Sequence, residues 1–419
     1  MANRTLVVCY ILIVWFAISF VTNIIGPLMP VIIRDFGLSL TLAGFLPFSF
    51  FLAYGVVSIP AGIMVETVGP KTTLVTAFCL NLTGALLFAL LPSYAVAVGA
   101  LFVIGVGMAM LQVVINPLMR TAGGEANFAF FSVMGQLVFG LASFVSPLVF
   151  AAMMARGTRN ASLFGLPATD PAWIALYWVF GAIFAVLIVG TIAMRVPHIV
   201  LKADERAGNA LAYRQLIADR KVRFFFLAIA AYVGTEQSLA NWMSQFLATY
   251  HGVAPETEGA RAVAMFWGWM VIGCALGLVL LKLIDSKIVL RIAAIAAIAC
   301  VAAALFGGRS ASLIAFPAAG LCISVMFSII FALALNSVSR DHGAFSGILC
   351  TGILGGAIAP LLVGIVGEWM GLRAALLIVF ALLGFILSVS FWADPLTRNQ
   401  TIDLRKRLRP AVAAEGDSQ

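Results

Sequence analysis

Charge is scarce in this chain of 419 residues, which holds 25 Lys and Arg, 17 Asp and Glu, and 3 His, so that 10% of it is charged. A soluble globular domain carries about 25%, and a water-facing surface of ordinary size cannot be built from so little. Disorder is excluded too, because a chain that is 63% hydrophobic has too much apolar surface to stay solvated. The cysteines (Cys9, Cys79, Cys274, Cys300, Cys322 and Cys350) all fall in apolar segments and form no CxxC pair. That pattern implies neither a disulfide framework nor a zinc site. His198, His251 and His342 lie in or beside polar loops. No His/Cys/Ser/Asp constellation therefore sits at one depth, and neither an enzyme nor a resident metal or cofactor is expected. The net charge of +8 is too dispersed along the chain to form a nucleic-acid face.

What is present is apolar sequence in long runs. Twelve bilayer spans need about 240 apolar residues, and 63% of 419 supplies about 264. Runs broken by Gly, Pro and charge predict spans over 6–32, 42–65, 72–91, 95–119, 126–154 and 172–194. Six more follow over 223–249, 261–283, 288–306, 310–337, 344–367 and 372–392. The first is too long for the core of a signal peptide and is expected to stay as a span. The longest polar stretch lies between the sixth and seventh spans. It divides the chain into a first six-helix bundle (1–194), a linker (195–222), a second bundle (223–392) and a tail (393–419).

The basic residues predict orientation. With the N-terminus inside, 19 of the 25 Lys and Arg fall on the cytoplasmic side. Only Arg34, Arg156, Arg159, Arg261, Arg309 and Arg373 fall outside. That excess is the positive-inside bias, so both termini and the linker are expected in the cytoplasm.

Polar residues at mid-membrane are rare and informative, since an ionisable group there costs about 2.5–3.5 kcal/mol on insertion scales. Asp35, Glu66, Glu125, Asp285, Asp341 and Glu368 all stand at span ends or in turns. Glu236, well inside the seventh span, is the carboxylate placed deep in the membrane. Removal from water disfavours a carboxylate's charged form, which suits the group to exchange a proton, to ligate sodium or to accept a sugar hydroxyl. Gln237, Asn241 and Gln245 recur every four residues and form one polar stripe beside it. In the fourth span Gln112 and Asn116 share a face ahead of Pro117, and Asn23 and Gln136 are amides of the same class in spans 1 and 5. Amides both donate and accept hydrogen bonds, as recognition of a neutral polyol requires. Trp242 offers an aromatic face on which a sugar ring could stack. For the amides, bonding between helices is the competing reading.

The two halves also echo each other. Gly62-Ile-Met-Val-Glu66-Thr-Val-Gly69-Pro-Lys71 follows the second span, and Gly277-Leu-Val-Leu-Leu-Lys282-Leu-Ile-Asp285-Ser-Lys287 follows the eighth. This repeated turn in a six-plus-six chain resembles the major facilitator superfamily. The resemblance implies two pseudo-symmetric six-helix bundles rocking about a central site, with Glu66, Lys71, Asp285 and Lys287 at a cytoplasmic gate. The Gln112…Asn116-Pro117 run, Tyr232-Val-Gly-Thr-Glu236 and Gly355-Gly356-Ala-Ile-Ala-Pro360-Leu-Leu-Val-Gly364 are similar to the fucose/glucose–galactose symporter family. Gly26 stands where the fucose branch has Asp, and Gln112 where it has Glu, so the glucose/galactose branch is the nearer one.

The expected protein is a monomeric, multi-pass transporter of a bacterial inner membrane that takes up a hexose or related polyol. Its partners are the sugar and the lipid bilayer, with a proton or sodium ion as co-substrate acting through Glu236. Substrate contacts are expected from Asn23, Gln112, Asn116, Gln136, Glu236, Gln237, Asn241 and Trp242. A proton-coupled exporter of amphipathic compounds and an uncoupled sugar facilitator are the alternatives.

Overall fold

The computed structural model describes residues 4–123, 128–156, 172–194, 196, 210–338 and 342–395, and among them every regular element is a helix. Span 1 consists of α1 (Arg4–Thr22) and α2 (Ile25–Phe36), and spans 2 and 3 are α3 (Leu40–Val68) and α4 (Pro70–Leu90). Spans 4 to 6 are α5 (Tyr94–Gly123), α6 (Phe128–Arg156) and α7 (Ala175–Ala193). A short helix, α8 (Ala210–Ala218), leads into span 7, α9 (Arg220–His251). Spans 8 and 9 are α10 (Ala260–Leu283) and α11 (Ser286–Phe306). Span 10 is α12 (Arg309–Ile323) and α13 (Met326–Leu335), and span 11 is α14 (His342–Thr351) and α15 (Gly355–Met370). Span 12 is α16 (Leu372–Ala375) and α17 (Ile378–Trp392). Most of the expected linker 195–222 and nearly all of the tail 393–419 lie outside the described residues.

Eleven of these segments are long and apolar enough to cross a bilayer. The other, α9, is 32 residues or about 48 Å long and far less apolar, and it is described with the site below.

Local sequence accounts for most helix ends. Ser39 caps α3 by accepting the Leu42 N–H, and Asp219 and Asp285 cap α9 and α11 in the same way. Gly37 and Gly252 end α2 and α9 in the left-handed conformation at φ of 60° and 59°. Span 1 breaks at Asn23–Ile24, where Pro27 removes the N–H that would reach back to Asn23.

The chain reverses at every loop, so alternate helix ends lie on one face. The near face carries the starts of α1, α4, α6, α9, α11 and α14, and the far face carries the ends of α2, α9 and α15. The two halves meet along spans 1 and 7, 2 and 11, and 5 and 8. These contacts crowd toward the far face. There α2 packs on α9 and on the turn Pro255–Gly259, whereas α1 makes its main contacts with α5, α6 and α7 of its own half. Likewise, of the two helices of span 11, α3 packs far more on α15 than on α14.

Polar links close the far face. Arg34 bonds Glu256 at 2.6 Å, and Glu368 accepts the Thr41 N–H at 3.1 Å, so a carboxylate of span 11 caps span 2. Among the described residues the halves therefore pack more closely at the far face than at the near face. The halves approach closely at Gly26, where an added Cβ would collide with the Ala240 carbonyl of α9.

Gly26→Val is accordingly expected to hold the far face open. With the native cysteines removed, spin labels on Leu42→Cys and Trp369→Cys, both exposed, should report a longer distance in that variant. An unchanged distance would mean that the α2–α9 contact does not govern closure.

Candidate functional site

Lipid offers no hydrogen bonds, so a helix rich in amides and hydroxyls must be enclosed by protein. That is how α9 is placed, surrounded by α2, α10, α12, α13, α15 and α17. From Ala231 to Ser244, 14 consecutive residues, every residue is buried except Glu236. The one half-buried residue of this enclosed stretch is thus a carboxylate.

That carboxylate is held on both oxygens. Tyr232, one turn earlier, donates its hydroxyl to Oε2 at 2.7 Å, and Gln237 donates its amide to Oε1 at 3.0 Å. Asn241 in turn donates to Gln237 Oε1 at 3.4 Å. Glu236, Gln237 and Asn241 are thus brought into one chain of side chains, as the sequence pattern suggests, while Gln245 leaves the stripe to bond Thr249 at 3.2 Å. Tyr232 is absent from the expected set. Its signal was the i, i+4 spacing to Glu236, which places both on one face.

Other expected contacts lie elsewhere. Trp242 is fully buried, and its indole N–H donates to the Pro360 carbonyl of span 11 at 2.9 Å. It fastens two spans and has no free face for a sugar here. Asn23 is buried at the break of span 1 and donates to Ser143 of span 5 at 2.8 Å and to Ser19 at 3.4 Å. Its N–H groups are spent inside the first half. Gln112 is half-buried and has a partner of its own, and Gln136 is exposed on α6. The side chain of Asn116 lies outside the described residues.

The four residues of the repeated turn stand at the near face. Lys71 donates to the Ile192 and Met194 carbonyls at 2.7 and 2.9 Å, which clasps the start of span 3 to the end of span 6. Lys287 donates to the Ala393 carbonyl at 2.7 Å, which clasps span 9 to span 12 in the same manner. Asp285 caps α11 through the Lys287 N–H at 2.9 Å, and Glu66 is exposed but has a partner. A cavity of about 120 Å³ lined by Leu281, Asp285, Lys287 and Asn336 lies here. It is smaller than the roughly 300 Å³ of ordinary ligand pockets and far from Glu236 in the chain's layout. Among the described residues no group of three or more His, Cys, Asp or Glu converges.

The arrangement is that of two helical halves about one carboxylate at the centre of an enclosed polar helix. The sequence profile of the Major Facilitator Superfamily matches residues 11–353. The chain belongs to the major facilitator superfamily. It is 30% identical over 372 residues to a glucose/galactose transporter of Brucella abortus biovar 1 (strain 9-941), covering 87% of this chain and 88% of that relative. It is 23% identical over 386 residues to the L-fucose-proton symporter of Escherichia coli (strain K12), covering 87% and 86%. The higher identity agrees with the nearer resemblance to the glucose/galactose branch. Among solved structures, a fucose:proton symporter of E. coli superposes with a TM-score of 0.67 at 19% identity, over 94% of this chain and 99% of that one. A bacterial homolog of the human lysosomal transporter Spinster superposes with a TM-score of 0.72 at 16% identity, over 93% and 96%. This facilitator is a multi-span membrane transporter and not an enzyme.

A cation at a helix C-terminus contributes about 0.3–1 kcal/mol when exposed and about 2 when partly buried. Lys71→Met is therefore expected to destabilise the protein by about 1–2 kcal/mol, and Lys287→Met, with one bond, by about half as much. Thermal unfolding in detergent measures both, and equal melting of all three proteins would remove the clasp role.

Proposed function

We propose that the protein is a secondary transporter that takes up a hexose or related neutral polyol by alternating access, driven by protons or sodium through Glu236. The observation that carries this reading is that the one half-buried residue in the enclosed stretch of α9 is a carboxylate, with neutral donors on both of its oxygens. One carboxylate with neutral partners suits a monovalent cation or a proton, and the neighbouring amides suit hydroxyl groups. The glucose/galactose and fucose relatives point to the same substrate class.

In this reading the near face is cytoplasmic, because 19 of the 25 basic residues belong to it in the sequence. The membrane is a bacterial inner membrane, both termini are inside, and the conformation is inward-open. The bundles 1–194 and 223–392 move against each other as units joined by the linker 195–222, in a protein that acts as a monomer. Glu66, Lys71, Asp285 and Lys287 line the rim that closes when the far face opens. Gln237 and Asn241 are the nearest hydrogen-bonding wall for the sugar, and Gln112, Asn116 and Gln136 are the sugar contacts expected of the first half.

Uptake of labelled hexoses into proteoliposomes, with no gradient, a proton gradient or a sodium gradient, tests this reading. Accumulation should appear under one gradient and fall at least tenfold in Glu236→Gln, a loss of about 1.4 kcal/mol or more, while sugar exchange persists. Equal, gradient-independent equilibration by both proteins would leave an uncoupled facilitator. No flux of any hexose would defeat the sugar assignment.

A further inference from the structure

Span 10 is broken at Ser324–Val325 between α12 and α13, and no proline lies within the break. The break is seated against α10 instead. Cys274 donates its thiol to the Ser324 carbonyl at 3.4 Å, and a Cβ added at Gly273 or Gly277 would collide with Ser324 or Val325. A break held by a seat and not by a proline ring can bend or straighten as that seat moves.

Tyr232 reaches the segment just beyond this break. It is 4% exposed, and its ring lies 5.6 Å from the Phe327 ring at an interplanar angle of 54°. Phe327 is the second residue of α13, directly beyond the break, and it stacks on Phe331 at 5.7 Å. The other end of Tyr232 is its hydroxyl, which donates to Glu236 at 2.7 Å. One buried side chain therefore touches the central carboxyl with its polar end and the segment beyond the break with its ring.

We infer that Tyr232 is the positioning residue of Glu236, its hydroxyl fixing the carboxyl's orientation and its ring tying that carboxyl to the bend of span 10. A glutamate side chain is long and rotamer-rich, and ordering it costs conformational entropy. A bond from a buried phenol, itself held by ring packing, leaves the carboxyl one orientation. When a cation or sugar hydroxyl engages Glu236, the phenol must yield or turn, and its ring then shifts against Phe327. Occupancy of the carboxyl and bending at 324–325 become one event, which is the linkage that coupled transport requires. The transport consequence rests on the function proposed above, whereas the positioning of Glu236 does not.

Tyr232→Phe tests the assignment, since it keeps the ring against Phe327 and removes only the hydroxyl. The infrared carboxyl C=O band of Glu236, identified at low pH as the band lost in Glu236→Gln, should move to higher frequency without its donor. Gradient-driven uptake should fall about tenfold, in keeping with the loss of a bond to an ionisable group, with exchange preserved. Phe327→Leu should leave the band in place, and the double variant should transport no worse than the poorer single one. An unmoved band in Tyr232→Phe overturns the positioning role. Effects that multiply in the double variant overturn the link to span 10. A shifted band in a protein whose parent accumulates no sugar under any gradient defeats the transport reading and leaves the positioning of Glu236 standing.

Discussion

The rest of the structure depends on a solvation constraint. Span 7 carries Thr235, Glu236, Gln237, Ser238, Asn241, Ser244 and Gln245 within three turns, and an unsatisfied polar group in hydrocarbon costs several kcal/mol. No position facing lipid could tolerate that helix. It must lie inside protein, and one half of the molecule cannot enclose it alone, because α2 of the first half covers part of its surface. The polar helix is thus both the site and the reason the halves meet where they do. Gly26 permits the contact by bringing the backbone of span 1 against the Ala240 carbonyl.

Burial and access are reconciled at a single residue. Thirteen of the fourteen residues are buried and Glu236 is half-buried, so the carboxyl is the most accessible group of the stretch. The amides, the phenol and the indole serve one another or a backbone carbonyl, whereas the buried hydroxyls of Thr235, Ser238 and Ser244 have no partner among the described residues. Asn241 serves Gln237, Gln237 and Tyr232 serve Glu236, and Trp242 serves the Pro360 carbonyl. Such a network is stable in low dielectric because its members are paired. It is also easily re-paired, since an arriving hydroxyl or cation can replace one donor at a time.

The sequence revealed the spans, the depth of Glu236 and the Gln237–Asn241 stripe, because each of these depends on local period and hydropathy. Other features depend on partners far along the chain. Nothing local distinguishes Trp242 stacking on a ligand from Trp242 bonded to Pro360, which lies 118 residues away. Asn23 reads as a free amide until Ser143, 120 residues on, is brought beside it. The break at Ser324–Val325 has no proline to announce it and arises from the seat that Gly273 and Gly277 provide on α10. Lys71 and Lys287 read as gate residues because of the repeated turn. Their bonds to carbonyls at the ends of spans 6 and 12 become visible only when the helices are set side by side.

Those clasps also fit the proposed movement of the halves as units. Lys71 and Lys287 each join the third helix of a half to its sixth, so each half is tied within itself by charged bonds to helix ends. The polar links between halves are of another kind. Arg34 is 59% exposed and Glu256 31% where they meet, and an ion pair so open to water is worth about 0–1 kcal/mol. Glu368 bonds Thr41 and Ser39 at the start of span 2, and these bonds too are exposed. Within a half the bonds resist separation, and between halves they concede it for little free energy. Reversible opening requires this ordering, since the two end states must differ by no more than the few kcal/mol that differential binding at the site can supply.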